Sequence, residues 1–286
     1  MATPLFAPQA PLPIYAADII LAANLHKSLL ENTVTRAGID QGSSYTFQVA
    51  DATYSYAKER GNNGLIPTGN FTQQQITVDI VQKWSKVEKS FEELKGDQGD
   101  IKSLMVTHCA GEIARTKDKV VIDELEASAV EYDSAVITAS SDAFLDMTKV
   151  FLKNKFALTK GSLFAVIGPS AWAQLNKSQE FKNSLISNKT PLENLDFKFT
   201  DEPMIYDFQG IFFIYHPGIP GIGTAQETNF LYHKTAIGAV TCVDNSMDVS
   251  NGIVPGQAKQ FCLAGLRTAS KALQTSGLLK FYTQYS

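Results

Sequence analysis

Apolar positions change their period several times along the 286 residues, and each change marks a different element. From residue 100 to 127 they recur at helical spacing: Leu104, Met105, Cys109, Ile113, Val120, Val121 and Leu125, with no Pro among them. Asp100 stands where an N-cap belongs. A helix over this span is about 40 Å long at ~1.5 Å per residue, more than twice the usual ~11–12 residues. That length, with one apolar stripe and one charged face, describes a structural spine.

Residues 140 to 240 alternate helix-like and strand-like patterns, as in a compact α/β block. Ser140-Ser141-Asp142 can cap a helix carrying Phe144, Leu145, Met147, Val150, Phe151 and Leu152. Leu163 to Ile167 is a continuous apolar run of strand length, and Pro169 then opens a second helix, a position Pro tolerates. Met204 to Tyr206 and Ile211 to Tyr215 flank Asp207-Phe208-Gln209-Gly210, a hairpin-like turn. Phe230 to His233 and Ala236 to Val243 supply further strand, as do Phe261 to Leu266 and Leu278 to Tyr282.

The first 75 residues lack such packing patterns. Pro4, Pro8, Pro11 and Pro13 hold the start extended, and a short helix is expected from about Tyr15 to Leu30. Residues 36–75 are rich in Gly, Ser, Thr, Asn and Gln. Strand-like flanks, Tyr45 to Val49 and Gln75 to Val78, enclose a turn-dense middle from Arg60 to Gly69. This is an extended two-stranded excursion with a long tip. It has too few large apolar residues to make a core of its own, and is most simply completed by another subunit.

Composition removes several function classes. Hydrophobic residues are 44% and charged residues 19%, enough apolar surface to offset ordering entropy, so disorder is excluded. The net charge of -4 argues against a surface that tracks phosphates. Cys109, Cys242 and Cys262 form no CxxC or zinc pattern and read as small hydrophobic residues in a reducing compartment. No secretion signal or membrane span is evident, so a cytoplasmic protein is expected, and three N-x-S/T sequons are read as chance.

A search for chemistry comes out empty. His26, His108, His216 and His233 make no HxxxH or HExxH pair, and a pairing of His216 with His233 has nothing to support it. No GxSxG elbow or P-loop occurs; Gly218-Ile219-Pro220-Gly221-Ile222-Gly223 is read as a tight loop. Glu92-Glu93 and Asp123-Glu124-Glu126 are read as solvated or inter-subunit acids, and Ile211 to Tyr215 as core strand, not a base-stacking platform. No catalytic residue, metal or cofactor is expected.

The order of these parts resembles the major capsid protein family of tailed bacteriophages, whose fold is shared with encapsulins. Cys109-Ala-Gly-Glu-Ile-Ala-Arg-Thr-Lys-Asp118 followed by Val120-Val-Ile122 is similar to the family's spine. Leu163 to Leu175 resembles its axial strand entering a helix through Pro, and Asn229 to Gly238 resembles its late strand segment. The resemblance implies an α+β fold divided into an N-terminal arm (1–35), an extended β-hairpin loop (36–78), a peripheral domain with the spine helix (79–130), an axial domain (131–243) and return strands of the peripheral domain (244–286). It implies a non-enzymatic subunit that assembles with itself, as pentamers and hexamers, into an icosahedral shell enclosing double-stranded DNA.

On this resemblance Ile66 and Phe71, at the loop tip, are expected to be buried on a neighbouring subunit. Further partners would be a portal and separate scaffolding or decoration proteins, since no long acidic helical segment precedes the arm. DNA would be contained without sequence-specific contact, no membrane would be involved, and assembly would occur in the bacterial cytoplasm. Lys58 is the only Lys in the excursion and has no assignable cross-linking partner. The alternatives are an encapsulin-like compartment with cargo, or a soluble α/β enzyme with an unrecognised site.

Overall fold

The computed structural model describes residues 28–39, 42–50, 73–90, 101–178, 181, 205–208, 210–242, 248–253 and 259–284. Helix α1 (Ile101–Ser128) is the spine, and the expected N-cap Asp100 lies outside the described residues. Met105, Cys109, Ile113, Val121, Ile122 and Leu125 are buried, which accounts for nearly all of the apolar stripe. The helix serves two sheets, one at each half.

Its first half packs on a five-stranded sheet. That sheet is built from β1 (Thr35–Ile39), β4 (Val81–Ser90), β10 (Ile237–Cys242), β11 (Asp248–Ile253) and β12 (Lys259–Ala272). The 14-residue β12 is the centre of it. Thr268 pairs with Val81 on one side and Thr241 on the other. Hence β4 runs along one edge of β12, and β10 and β11 follow each other along the opposite edge. Met105, Val106, Cys109 and Ile113 of α1 meet Cys262, Ala264 and Leu266 of β12 in one apolar cluster.

The second half of α1 covers one face of a six-stranded sheet. It contains β5 (Val130–Val136), β6 (Leu163–Ile167), β7 (Ile205–Phe208), β8 (Ile211–Tyr215), β9 (Gln226–His233) and β13 (Leu278–Gln284), in the order β5-β13-β9-β6-β8-β7. Val121, Ile122 and Leu125 pack there with Phe164, Val166, Phe212, Ile214, Phe230 and Tyr232. Helices α2 (Ser141–Lys153) and α3 (Pro169–Lys177) cover the other face. Phe144, Met147, Phe151, Ala171 and Leu175 meet Leu163, Ala165, Ile167, Phe213, Leu231 and Phe281. Both faces of β6 and β8 are thus covered, which is why those strands read as unbroken apolar runs. Ser140 caps α2, accepting from the Ala143 N–H at 3.3 Å, and Pro169 is the first residue of α3.

The chain first passes from one sheet to the other along α1, from β4 to β5, and later crosses twice more at neighbouring points. It leaves β9 for β10 through a short 3-10 turn at Lys234–Ala236 and returns from β12 to β13 through another at Thr275–Gly277. The Ala236 carbonyl accepts from the N–H groups of Leu273 and Gln274, tying the two crossings together.

The excursion begins as a two-stranded ribbon, β2 (Ser44–Ala50) against β3 (Gln73–Asp79), with Tyr45 opposite Val78 and Phe47 opposite Ile76. The sequence signal for these strands holds. The expected helix ending at Leu30 does not reach that far: Ser28, Leu29 and Leu30 are non-helical, because a carboxylate of α1 captures the Ser28 hydroxyl and the backbone amides of Leu29 and Leu30. Residues 15–27 of that expected helix lie outside the described residues.

Candidate assembly surfaces and buried polar junctions

Ile66 and Phe71 lie outside the described residues. What is described is the base of their ribbon. Phe47 and Val78 are buried against Val240, Ala269 and Leu273 of the chain's own five-stranded sheet. The outward positions are polar and exposed: Thr46 and Thr77 face each other with hydroxyls 3.1 Å apart, and Gln73 donates to Gln48. Among the described residues these two strands pair only with each other. The ribbon is therefore anchored by one face, with Tyr45, Val49 and Ile76 packed beside Phe47 and Val78.

A second exposed surface is the outer face of β4 and β12, opposite α1. Trp84 is half exposed and sits across from Gly265 in register. Lys86 lies over the Phe261 ring, 5.6 Å from its centroid, and pairs with Glu88, whose carboxyl is held below its ordinary range by that hydrogen bond. Lys83, Lys86 and Lys89 along β4 are the charges expected on a strand that must not pair indiscriminately.

The buried polar groups are structural junctions. Asp118 of α1 is almost fully buried and accepts from the Ser28 hydroxyl, the Leu29 N–H at 3.2 Å and the Leu30 N–H at 2.9 Å. The Nε2 of His216 faces the same carboxylate at 3.4 Å. His216 Nδ1 accepts from the Gly218 N–H at 3.0 Å, which places the ring proton on Nε2, toward Asp118. Nearby, Thr33 bonds the buried Tyr232 hydroxyl, whose pKa burial drives up, and Lys117 and Arg36 both pair with Glu31. The segment from Ser28 to Arg36 is thereby bolted to the spine and the six-stranded sheet.

A second junction caps α3. The Glu227 carboxylate accepts from both the N–H and the hydroxyl of Ser170, each at 3.0 Å, at the positive end of the helix. Asn229 accepts from the Gly168 N–H at 2.8 Å and donates to Thr283 at 2.8 Å, joining β9 to β13. His233 bonds the Ala157 carbonyl at 3.1 Å and Thr235 at 2.8 Å, so the structure links His216 and His233 to different groups. His108 faces Glu112 at 3.7 Å on the exposed side of α1.

Each of these groups is satisfied by partners within the fold. The Gly-rich segment closes on itself: Thr224 and Thr228 donate backbone N–H groups to Gly221 and Pro220, both at 3.0 Å. Gly221 has φ +84°, and a Cβ there would lie 2.1 Å from the Gln226 carbonyl, so only glycine fits. A strand, not a helix, follows. Asp123 pairs with Lys119, and Glu124 accepts from the Ala272 N–H, while Glu92 and Glu93 lie outside the described residues. Phe212, Phe213 and Ile214 are core. Among the described residues no group of three or more His, Cys, Asp or Glu is placed to hold a metal ion, and no helix is long and apolar enough to cross a membrane. The Asp118 and Glu227 junctions could not be found from spacing, because each joins residues far apart in sequence.

Comparison with known proteins decides what this architecture is. The family model described as phage capsid protein matches residues 7–274, nearly the whole chain. The chain belongs to the phage capsid protein family. It is accordingly a structural subunit of a capsid, and its place is the virion capsid, a reading the family match favours over an encapsulin-like compartment. No curated protein matches the chain.

Solved structures share the fold of this capsid protein at low identity. The capsid of the Cyanophage P-SCSP1u is 13% identical with a TM-score of 0.64, covering 91% of this chain and 89% of that one. The capsid of Ralstonia phage GP4 is 11% identical with a TM-score of 0.67, covering 91% and 92%. A virus-like particle from Pyrococcus furiosus is 13% identical with a TM-score of 0.61, covering 94% and 98%. At such identities what is conveyed is the α+β capsid fold.

Proposed function

We propose that this capsid protein closes by self-association into an icosahedral shell that contains double-stranded DNA, and that it has no catalytic role. The observation that carries the reading is the ribbon: fixed by Phe47 and Val78 and polar along its outward positions. On this reading the tip lies across a neighbouring subunit and buries Ile66 and Phe71 there. Residues 1–27 extend from the Asp118 junction beneath another neighbour. Many copies of a modest contact then hold a closed shell.

We assign the axial block that meets its copies around five-fold and six-fold centres to the six-stranded sheet with α2 and α3, which takes β13 from the expected peripheral return (244–286) and leaves β10 out of the expected axial span (131–243). The five-stranded sheet and the first half of α1 supply the peripheral block. The net charge of -4 suits a wall that contains DNA without adsorbing it. A portal and separate scaffolding or decoration proteins complete the proposed partners, with assembly in the bacterial cytoplasm.

Deleting residues 60–70 tests the interface role. The expected product is a folded subunit that elutes as a small species and shows no shells by electron microscopy, whereas the intact chain elutes in the megadalton range. Normal shells from the deletion variant would refute the role of the tip. Nuclease protection of DNA in particles from infected cells tests containment; particles holding only protein would refute it.

A further inference from the structure

Cys109 of α1 and Cys262 of β12 meet between the spine helix and the five-stranded sheet. Both are buried and both are free thiols. Their neighbours Ala110 and Ala264 are also fully buried, and these small side chains let the helix approach the strand closely. The Cys109 Sγ lies 3.9 Å from the Cys262 carbonyl oxygen, so the two side chains share one packing site. The thiol of Cys262 hydrogen-bonds to Cys109, which lowers the Cys109 pKa to about 7 against the opposing effect of burial. The same bond, with burial, pushes Cys262 up. The Cys109 thiol is the donor toward the Cys262 carbonyl, and the two buried sulfurs lie side by side in one apolar cluster.

We propose that Cys109 and Cys262 are a peroxide-sensitive thiol pair whose oxidation forms a reversible disulfide, stapling the spine helix to the long strand. In the first step Cys109 gives up its proton to water on local opening, and its sulfur attacks hydrogen peroxide. An S–O bond forms, the O–O bond breaks, and hydroxide leaves, giving a sulfenic acid. Cys262 then loses its proton and attacks that sulfur. The S–S bond forms, the S–O bond breaks, and water is released. Two thiols are oxidised and one peroxide is reduced to two waters. Peroxide is the oxidant class that fits, because a small neutral molecule can enter a buried site through local opening where a bulky disulfide cannot. The two cysteines are 153 residues apart, so the bridge closes a long loop and constrains the unfolded chain strongly. The staple lies within one subunit, so its test does not depend on shell formation.

The test uses the full chain, freed of reductant and treated with hydrogen peroxide, then digested and mapped without reduction. The expected result is a linked peptide pair containing Cys109 and Cys262, two hydrogens lighter than the separate peptides and separated again by a phosphine reductant. The thermal midpoint of the oxidised chain should rise by about 5 °C. Cys109→Ala and Cys262→Ala should each abolish both effects. If either variant fails to fold, the peptide map of the unaltered chain decides. Two thiols that stay free, that advance separately to sulfinic acid, or that link instead to Cys242 would each overturn the proposal.

Discussion

The ring of Phe47 lies directly over Gly238, so closely that a Cβ at Gly238 would come within 2.7 Å of its Cζ. Phe47 belongs to the ribbon and Gly238 to β10, so the missing side chain at Gly238 is what lets the ring seat on the sheet. Gly238→Ala should displace the ring at a cost of about 1–3 kcal/mol, the usual range for overpacking. Urea denaturation measures the loss, and limited proteolysis should show faster cutting within residues 44–79. Unchanged cutting with unchanged stability would mean that Phe47 does not anchor the ribbon.

Asp118 gathers donors from two separate parts of the chain, Ser28–Leu30 and His216. Asp118→Ala leaves the Ser28 hydroxyl and two backbone N–H groups without their acceptor, and should cost about 3 kcal/mol. Asp118→Asn keeps one oxygen and should fall between the two. The check is equilibrium unfolding together with protease sensitivity between Ser28 and Arg36, which should rise in the Ala variant first.

Glu227→Ala should destabilise by about 1–3 kcal/mol, because both donors of Ser170 lose their partner at the start of α3. Ser170→Ala should cost less, about 1 kcal/mol, since Glu227 retains the Ser170 N–H. A double-mutant cycle should give a clear coupling between the two. Additive losses would show that the carboxylate and the hydroxyl act separately.

Burial lowers the pKa of His233, opposed by its bond to the Ala157 carbonyl. The folded state therefore takes up its proton at lower pH than the unfolded state does. Its contribution to stability is complete above the ordinary His value of about 6.5 and is lost as pH falls from there through the lowered folded value. The urea midpoint should decline over that window, and His233→Gln should flatten the decline. An equal slope in the variant would assign the acid sensitivity elsewhere.

The spine helix was legible because one stripe of apolar residues persists over seven turns of α1, and both of its buried halves follow that stripe. Ser140 and Pro169 were legible as helix starts because capping is local chemistry. Strands β6 and β8 were legible because both of their faces are covered. By contrast β1, β5 and β11 carry mixed polar sequences (Thr35-Arg-Ala-Gly-Ile39, Val130 to Val136, Asp248 to Ile253) and become strands through partners remote in the chain. The helical pattern before Leu30 overran because Asp118 competes for the amides of Leu29 and Leu30, and no period reports such a partner. The ribbon strands were legible from their flanks, while their anchoring by Phe47 depends on a glycine in β10 that spacing does not single out.

The position of β13 between β5 and β9 sets an order on folding during synthesis. Its two neighbours come off the ribosome earlier and must wait with unsatisfied edges, because the strand that joins them is translated after every other described element. A nascent chain cut short before Leu278 holds the spine and every strand of the five-stranded sheet yet cannot complete the second sheet. The topology itself thus rejects prematurely terminated products before they can compete for places among finished copies.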